Sequence, residues 1–261
     1  MVRAILDEVL VEHREHISIL TLNRANKRNA ISDGLMAAIG RRFAELPAST
    51  KAVVIHGAGE HFCAGLDLSE LKERDATEGL HHSRAWYYIL RDVDQGRVPV
   101  LAALHGAVVG GGLELATACH IRVADDTSFF ALPEGSRGIF VGGGGSVRIP
   151  KLIGAHRVLD MMLTGRVYSA EDGVAVGFAQ YHVPSGQALT KAIELAERVA
   201  QNAPMTNYAL LHGLPRIAEQ PADHGFLTES MLAAIAQSAP EAKARVKAFL
   251  AGTGPKVSKS R

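Results

Sequence analysis

Cysteine is nearly missing from this chain of 261 residues: Cys63 and Cys119 are the only two, each set among apolar neighbours. A small secreted scaffold stapled by disulfides is thereby excluded. Net charge is almost absent as well, with 28 Lys and Arg against 27 Asp and Glu. That balance leaves no basic field for nucleic acid and no electrostatic anchor for a membrane surface. No stretch is apolar for long enough to span a bilayer, and the first residues lack a secretory apolar core. Together these absences predict a reduced, cytoplasmic setting in which the cysteines fill core space rather than act as nucleophiles. Only "GPKVSKSR", residues 254–261, is locally basic, and it reads as a frayed, solvated end.

Several catalytic motifs are missing too. "HREH" at 13–16 is not the HExxH helix of a metal hydrolase, and no Cys/His cluster has ligand spacing, so no metal site is expected. A GxSxG elbow is absent, which counts against a serine hydrolase. Gly142–Gly145 are followed by Ser146 and Val147 rather than Lys and Ser/Thr, so the run is not a Walker loop, and no strand–GxGxxG–helix fingerprint occurs. A phosphate cradle of either kind is disfavoured.

What the chain does have is apolar material, 47% of its residues, enough for one large α/β domain or a domain with an appendage. "RAILDEVLVE" and "HISILTLNR" read as a strand pair, "SDGLMAAIGRRFAEL" as an amphipathic helix capped by Ser32, and "KAVVIHG" as a buried strand. The alternation continues with a helix near "LHHSRAWYYILRDVDQ", a strand at "VPVLAALHG", a helix from Gly111, and strands at "IRVAD" and "SFFAL". Layers of α and β follow from that rhythm. From Ser185 the pattern is wholly helical, dividing the chain into an α/β core at 1–184 and a helical region at 185–261. The late helices carry apolar faces that need covering, by the body or by another subunit.

Glycine and glutamate supply the chemistry. In "HGAVVGGGLELA", residues 105–116, three glycines open a helix that carries Glu114, with no cation three or four residues away. Either the carboxylate is exposed at a helix start, where the macrodipole favours it, or it is desolvated and its pKa rises. Glycines at the helix start let unpartnered backbone N–H groups approach a ligand. In "ALPEGSRGIFVGGGGSVRIPKLIG", residues 131–154, Pro133 and Gly135 bracket Glu134 in a turn, where it is either a surface residue paired with Arg137 or a catalytic group. Gly142–Gly145 then open another helix with a second set of free N–H groups. A third glycine-bearing loop, "HGAGEHFCAGLDLSE" at 56–70, follows the buried strand.

"FCAGLDL", "HGAVVGGGLELA" and "LPEGSRGIFVGGGGSVRIPKLIG", in this order and spacing, resemble the crotonase, or enoyl-CoA hydratase/isomerase, family, and the resemblance runs from "LNRANKRNAIS" to "PEAKARVKAFL". It implies an α/β spiral of repeated ββα units with a C-terminal helical trimerisation region, assembled as a homotrimer or a hexamer of two trimers. It implies an acyl-CoA thioester as substrate, with coenzyme A entering as part of that substrate and no other cofactor. By the same resemblance, the backbone N–H groups of Leu66 and Gly111 form an oxyanion hole, and Glu114 and Glu134 are the acid and base that add water to a 2-enoyl-CoA. Gly142 corresponds to the residue whose N–H orients the water. Lys27, Arg28, Ala64, Leu66, Asp67 and Leu68 fall in coenzyme A-binding segments, and Lys247 lies in a helix that reaches a neighbour's nucleotide. His105, where many members have Asn, and Val141, in place of a common Pro, depart from the pattern. Relatives with both glutamates also cleave or hydrate aryl-propenoyl or sulfur-bearing acryloyl thioesters. An isomerase needs only one base, so the pair counts against it, and a non-catalytic RNA-binding or scaffold role fits poorly with neutral charge and intact glutamates.

Overall fold

The computed structural model describes residues 7–70 and 72–253, so the basic tail lies outside the described residues. In chain order the first part holds β1 (Val9–Arg14), β2 (Ile17–Leu22), α1 (Asp33–Ala44), β3 (Ala52–Gly57), α2 (Ala76–Asp94), β4 (Val100–Leu104), β5 (Ala107–Val109) and α3 (Gly111–Ala118). It continues with β6 (Ile121–Asp125), β7 (Phe129–Ala131), α4 (Gly145–Ile153), α5 (Ala155–Thr164), β8 (Tyr168–Ser169), α6 (Ala170–Val176), β9 (Tyr181–Val183) and α7 (Ala188–Ala200). The large sheet runs β1-β2-β3-β4-β6-β9, antiparallel only at its β1-β2 hairpin.

Both faces of this sheet are covered, which is why its central strands are apolar without a break. Strand alternation sends Leu20, Val53, Ile55, Val100, Ala102 and Leu104 to one side, against α1, α2 and α3. Ile17, Ile19, Val54, Leu101 and Ala103 face the other side and meet Ala188, Ala192, Leu195, Ala196 and Ala200 of α7. Those alanines recur at helical spacing and let α7 lie close on the strands. Ser32 caps α1 as its sequence signals, its hydroxyl accepting from Leu35 N–H at 2.9 Å. Cys63 and Cys119 are free, buried thiols pushed by desolvation up to about 12, inert at neutral pH.

Only the later turns of the spiral carry a full second strand. The small sheet, β5-β7-β8, takes one strand each after β4 and β6, plus β8. Earlier turns contribute single bridges instead, Ile31 to Leu66 and Cys63 to Val108. This thin extension of the sheet sets the loop holding Leu66 beside the start of α3. A Cβ on Gly112 would sit 2.4 Å from the Cys63 carbonyl oxygen and 2.9 Å from its Sγ, so only glycine permits the approach.

Residues from Gln201 on form a second compact unit. The break therefore falls at Ala200 rather than after residue 184, because α7 completes the core of the first unit. The second unit contains α8 (Pro204–His212), α9 (Leu214–Ile217), α10 (Ala222–Ser238) and α11 (Pro240–Leu250). The helical run that starts at Pro204 divides at Gly213, two residues before Pro215, whose ring cannot continue the α8 hydrogen bonding. Phe226, Met231, Ile235, Phe249 and Leu250 are each half exposed or more. Among the described residues no helix is long and apolar enough to cross a membrane.

Gly112→Ala gains about 1 kcal/mol of helix propensity, but overpacking against a buried backbone carbonyl costs about 1–3 kcal/mol or more. Urea denaturation should therefore give a lower unfolding free energy for the variant; equal stability would show that the contact relaxes at no cost.

Candidate active site

Helix α3 is buried along its whole length and begins without a side-chain cap. Gly110, at φ +53, turns the chain into it, a backbone state open to glycine. The Gly111 N–H has no acceptor among the described residues. Neither does that of Leu66, whose neighbours are both engaged: Ile31 N–H donates to the Gly65 carbonyl at 2.7 Å and Asp67 N–H to the Ile31 carbonyl at 2.9 Å. Alternation along that bridge turns the Leu66 amide away from Ile31. A Cβ built on Gly111 would lie 3.8 Å from Leu66 N, 3.4 Å from Ile31 Cδ1 and 3.6 Å from Trp86 Cζ3. Two unspent donors thus share a small apolar recess, the requirement for stabilising an oxyanion.

One turn into α3, Glu114 is 4% exposed. The exposed helix-start alternative is ruled out. Its Oε1 accepts from Gly143 N–H and from Gly145 N–H, each at 2.8 Å. Those two amides, expected to be free, are occupied by the carboxylate. Close contact enforces glycine here, since a Cβ on Gly145 would fall 2.8 Å from Glu114 Cγ and Oε1. Burial raises the Glu114 pKa, opposed by the amides of Gly145, Gly143 and Gly142 and by the Arg148 charge. The cation that α3 lacks comes from α4.

Glu134 is 7% exposed in a turn that closes through Arg137 N–H and Ile139 N–H on its carbonyl. No ion pair to Arg137 forms among the described residues, so the surface alternative fails here too. Its Oε1 packs over Gly110, where a Cβ would be 2.6 Å away, and its Oε2 is buried with no partner among the described residues. Desolvation raises its pKa and the Glu114 charge raises it further, only partly offset by its own amide and by the Arg137 charge. The two acids are thus electrostatically coupled but unequal: Glu114 has amides and an arginine to hold its charge, while Glu134 has an orphaned oxygen that favours the proton.

The remaining expected residues are scattered around this centre. Gly142 presents its N–H toward Glu114 and its carbonyl to Ser83 Oγ, 2.6 Å away. Lys27 and Arg28 are exposed, Lys27 reaching Ser69 Oγ at 3.2 Å, and Arg28 adopts φ +51 with its carbonyl accepting from Ala64 N–H. Leu68 is exposed, but Asp67 is turned inward, 5% exposed and paired with Arg24 at 2.9 Å. Lys247 lies exposed on α11 of the second unit. His105 lines a separate cavity of about 790 Å³ with His56, His61 and Thr127, while Val141 is buried in the main core. Ser83, Trp86 and Arg148 are the site residues that motif reading missed; the i, i+3 spacing of the first two on α2 was the available signal.

Residues 12–256 match the family model described as enoyl-CoA hydratase/isomerase. A solved Rhodopseudomonas palustris structure, provisionally designated an enoyl-CoA hydratase, is 58% identical and superposes with a TM-score of 0.92, covering 94% of this chain and 95% of that one. The enoyl-CoA hydratase of Bacillus anthracis is 29% identical with a TM-score of 0.88 over 95% and 98% of the two chains. Enoyl-CoA hydratase EchA19 of Mycobacterium tuberculosis is 29% identical over 253 residues, 95% of each chain.

Because the folded Glu134 carboxyl titrates above its ordinary value of 4.5, its ionised form destabilises the native state as pH rises from that value through the folded pKa. Glu134→Gln should therefore melt at a higher temperature than the parent at pH 7. The advantage should shrink to nothing below pH 4.5, where the carboxyl is protonated in both states. Melting curves across this range check it, and an advantage independent of pH would refute the desolvation account.

Proposed function

From membership of the enoyl-CoA hydratase/isomerase family, to which this chain belongs, we propose that it hydrates a 2-enoyl-CoA thioester to a 3-hydroxyacyl-CoA. The observation that carries this reading is the coupled pair of buried carboxylates beside two unspent backbone donors. Glu114, in its ionised form, takes a proton from water as the oxygen attacks C3. Electron density moves onto the thioester oxygen, where the N–H groups of Leu66 and Gly111 receive it. Glu134 delivers its proton to C2, and the proton held by Glu114 returns to Glu134 through solvent, closing the cycle. Gly142 N–H helps aim the water. An isomerase would need one carboxylate to carry a proton between carbons; two desolvated acids in unequal surroundings fit addition of water better.

Coenzyme A is proposed to lie along Ala64, Leu66 and Leu68, with Lys27 and Arg28 near its phosphates. Asp67 is proposed to line the same stretch, held in place by its ion pair with Arg24. The half-exposed apolar residues of α10 and α11 support assembly into trimers or hexamers, and the two free buried thiols support a cytoplasmic location.

A panel of crotonyl, long-chain, aryl-propenoyl and methylthioacryloyl thioesters, followed by loss of the conjugated absorbance, should identify at least one that is hydrated. Glu114→Gln and Glu134→Gln should each lower kcat by about a hundredfold or more. Gly111→Val should abolish turnover, because its branches fill the recess between Trp86 and Leu66. Conversion of 3-enoyl to 2-enoyl thioesters without loss of the double bond would replace hydration with isomerisation; parental rates in either glutamine variant would end the two-acid mechanism.

A further inference from the structure

Glu114 is held by a loop of four glycines, a segment with little conformational preference of its own. Something else must fix it. On one side, Ser83 of α2 donates its hydroxyl to the Gly142 carbonyl at 2.6 Å. That carbonyl and the Gly143 N–H belong to one peptide group, so the serine orients and polarises the unit that binds Glu114 Oε1. On the other side, Arg148 of α4 donates through Nη1 to the Gly143 carbonyl at 3.0 Å. Its side chain is 11% exposed and its Nε lies 3.2 Å from Asp94 Oδ2 at the end of α2. A Cβ on Gly144, at φ +101, would sit 2.4 Å from Arg148 Nη1, so the guanidinium lies close against the loop.

The anchorage runs further back. Val100 N–H of β4 donates to His120 Nδ1 at 2.9 Å, and His120 Nε2 lies 3.0 Å from the Asp94 carbonyl. A neutral imidazole satisfies both contacts, and burial lowers its pKa to keep it neutral. The large sheet, the end of α2, Arg148 and the glycine loop therefore form one connected path to the carboxylate.

We propose that Arg148 and Ser83 are positioning residues for the reaction, pinning the glycine loop from opposite sides so that its amides hold Glu114 in place and in its ionised form. This rests on the reading of Glu114 as the base. Neither side chain needs to touch substrate. The charged groups around Glu114 are Arg148 from α4, Asp94 behind it from α2, Glu134 from the facing turn and Arg137 beyond that; Trp86 and Leu90 of α2 add no charge.

The test follows the Glu114 carboxyl by ¹³C NMR in protein labelled at glutamate, its signal assigned by loss in Glu114→Gln, alongside pH–rate profiles. Arg148→Met removes the cation, so the Glu114 midpoint and the acid limb of kcat/KM should both move to higher pH. Its kcat should fall about tenfold to a hundredfold, with KM little changed. Arg148→Lys keeps the charge but cannot fork between Asp94 and the loop; its titration should stay near the parent while kcat falls. Ser83→Ala should lower kcat severalfold with the fold intact. A folded Arg148→Met with the parental titration and kcat overturns the proposal, as do parental kcat values in both Arg148→Lys and Ser83→Ala should the methionine variant not fold. If Glu114→Gln keeps the parental rate, the base assignment fails instead, and the NMR shift still reports whether Arg148 governs the carboxyl.

Discussion

A carboxylate taken out of water must be met by donors, and in this protein the Glu114 carboxylate is met by backbone. Two amides reach Oε1, and the close approach they need is possible only where no Cβ intervenes. That demand accounts for Gly145, while Gly143 is held to glycine by Leu90 Cδ1 at 2.9 Å and Gly144 by φ +101. The glycine run in turn explains the pins at Ser83 and Arg148, since a flexible loop holds a charge poorly unless its own carbonyls are fixed. Arg148 then needs Asp94, and Asp94 sits where α2 ends against the sheet. A chain of individually ordinary contacts links the position of one acid to the packing of the whole first unit.

Glu134 shows the opposite solution. Nothing among the described residues donates to its Oε2, and Glu114 lies near enough to raise its pKa. A buried carboxyl oxygen without a protein donor favours the protonated form, which is the direction in which its pKa moves. The difference between the two acids arises from their surroundings alone, because the side chains are chemically identical. Across the recess, Leu66 and Gly111 leave their N–H groups unspent in the same way. The thin bridges that carry the small sheet past Ile31, Cys63 and Leu66 make this economical, aligning a loop amide with a helix start using one residue of pairing at a time.

Much of this was legible from residue order. The strand pair at the start, the Ser32 cap, the alternation through β6 and the helix at Gly111 follow from local period and turn chemistry. Gly110–Gly112 announced an open helix start, while the amides of Gly143 and Gly145, expected to be free, are taken by Glu114; the two glutamates stood out because no neighbour explained them. The motif resemblance then assigned the glutamates and amides their roles. Less legible was α7, whose helical pattern resembles that of the helices after it; only its row of alanines against Val54, Leu101 and Ala103 places it with the sheet. Asp67 likewise reads as a loop residue free to meet a ligand, yet Arg24 draws it inward from 43 residues away.

The sequence by itself determined the early strands and helices, the glycine-opened start of α3, and which two acids have no local partner, because these depend on residues within a few positions of one another. Tertiary structure decided that Glu114 is clasped rather than exposed, that Glu134 forms no ion pair with Arg137 among the described residues, and that Arg148 serves a loop five residues back while resting on Asp94, 54 residues away. Contacts of that span follow from how layers settle against each other, and side-chain volume and reach across a packed interface are not written in any local period.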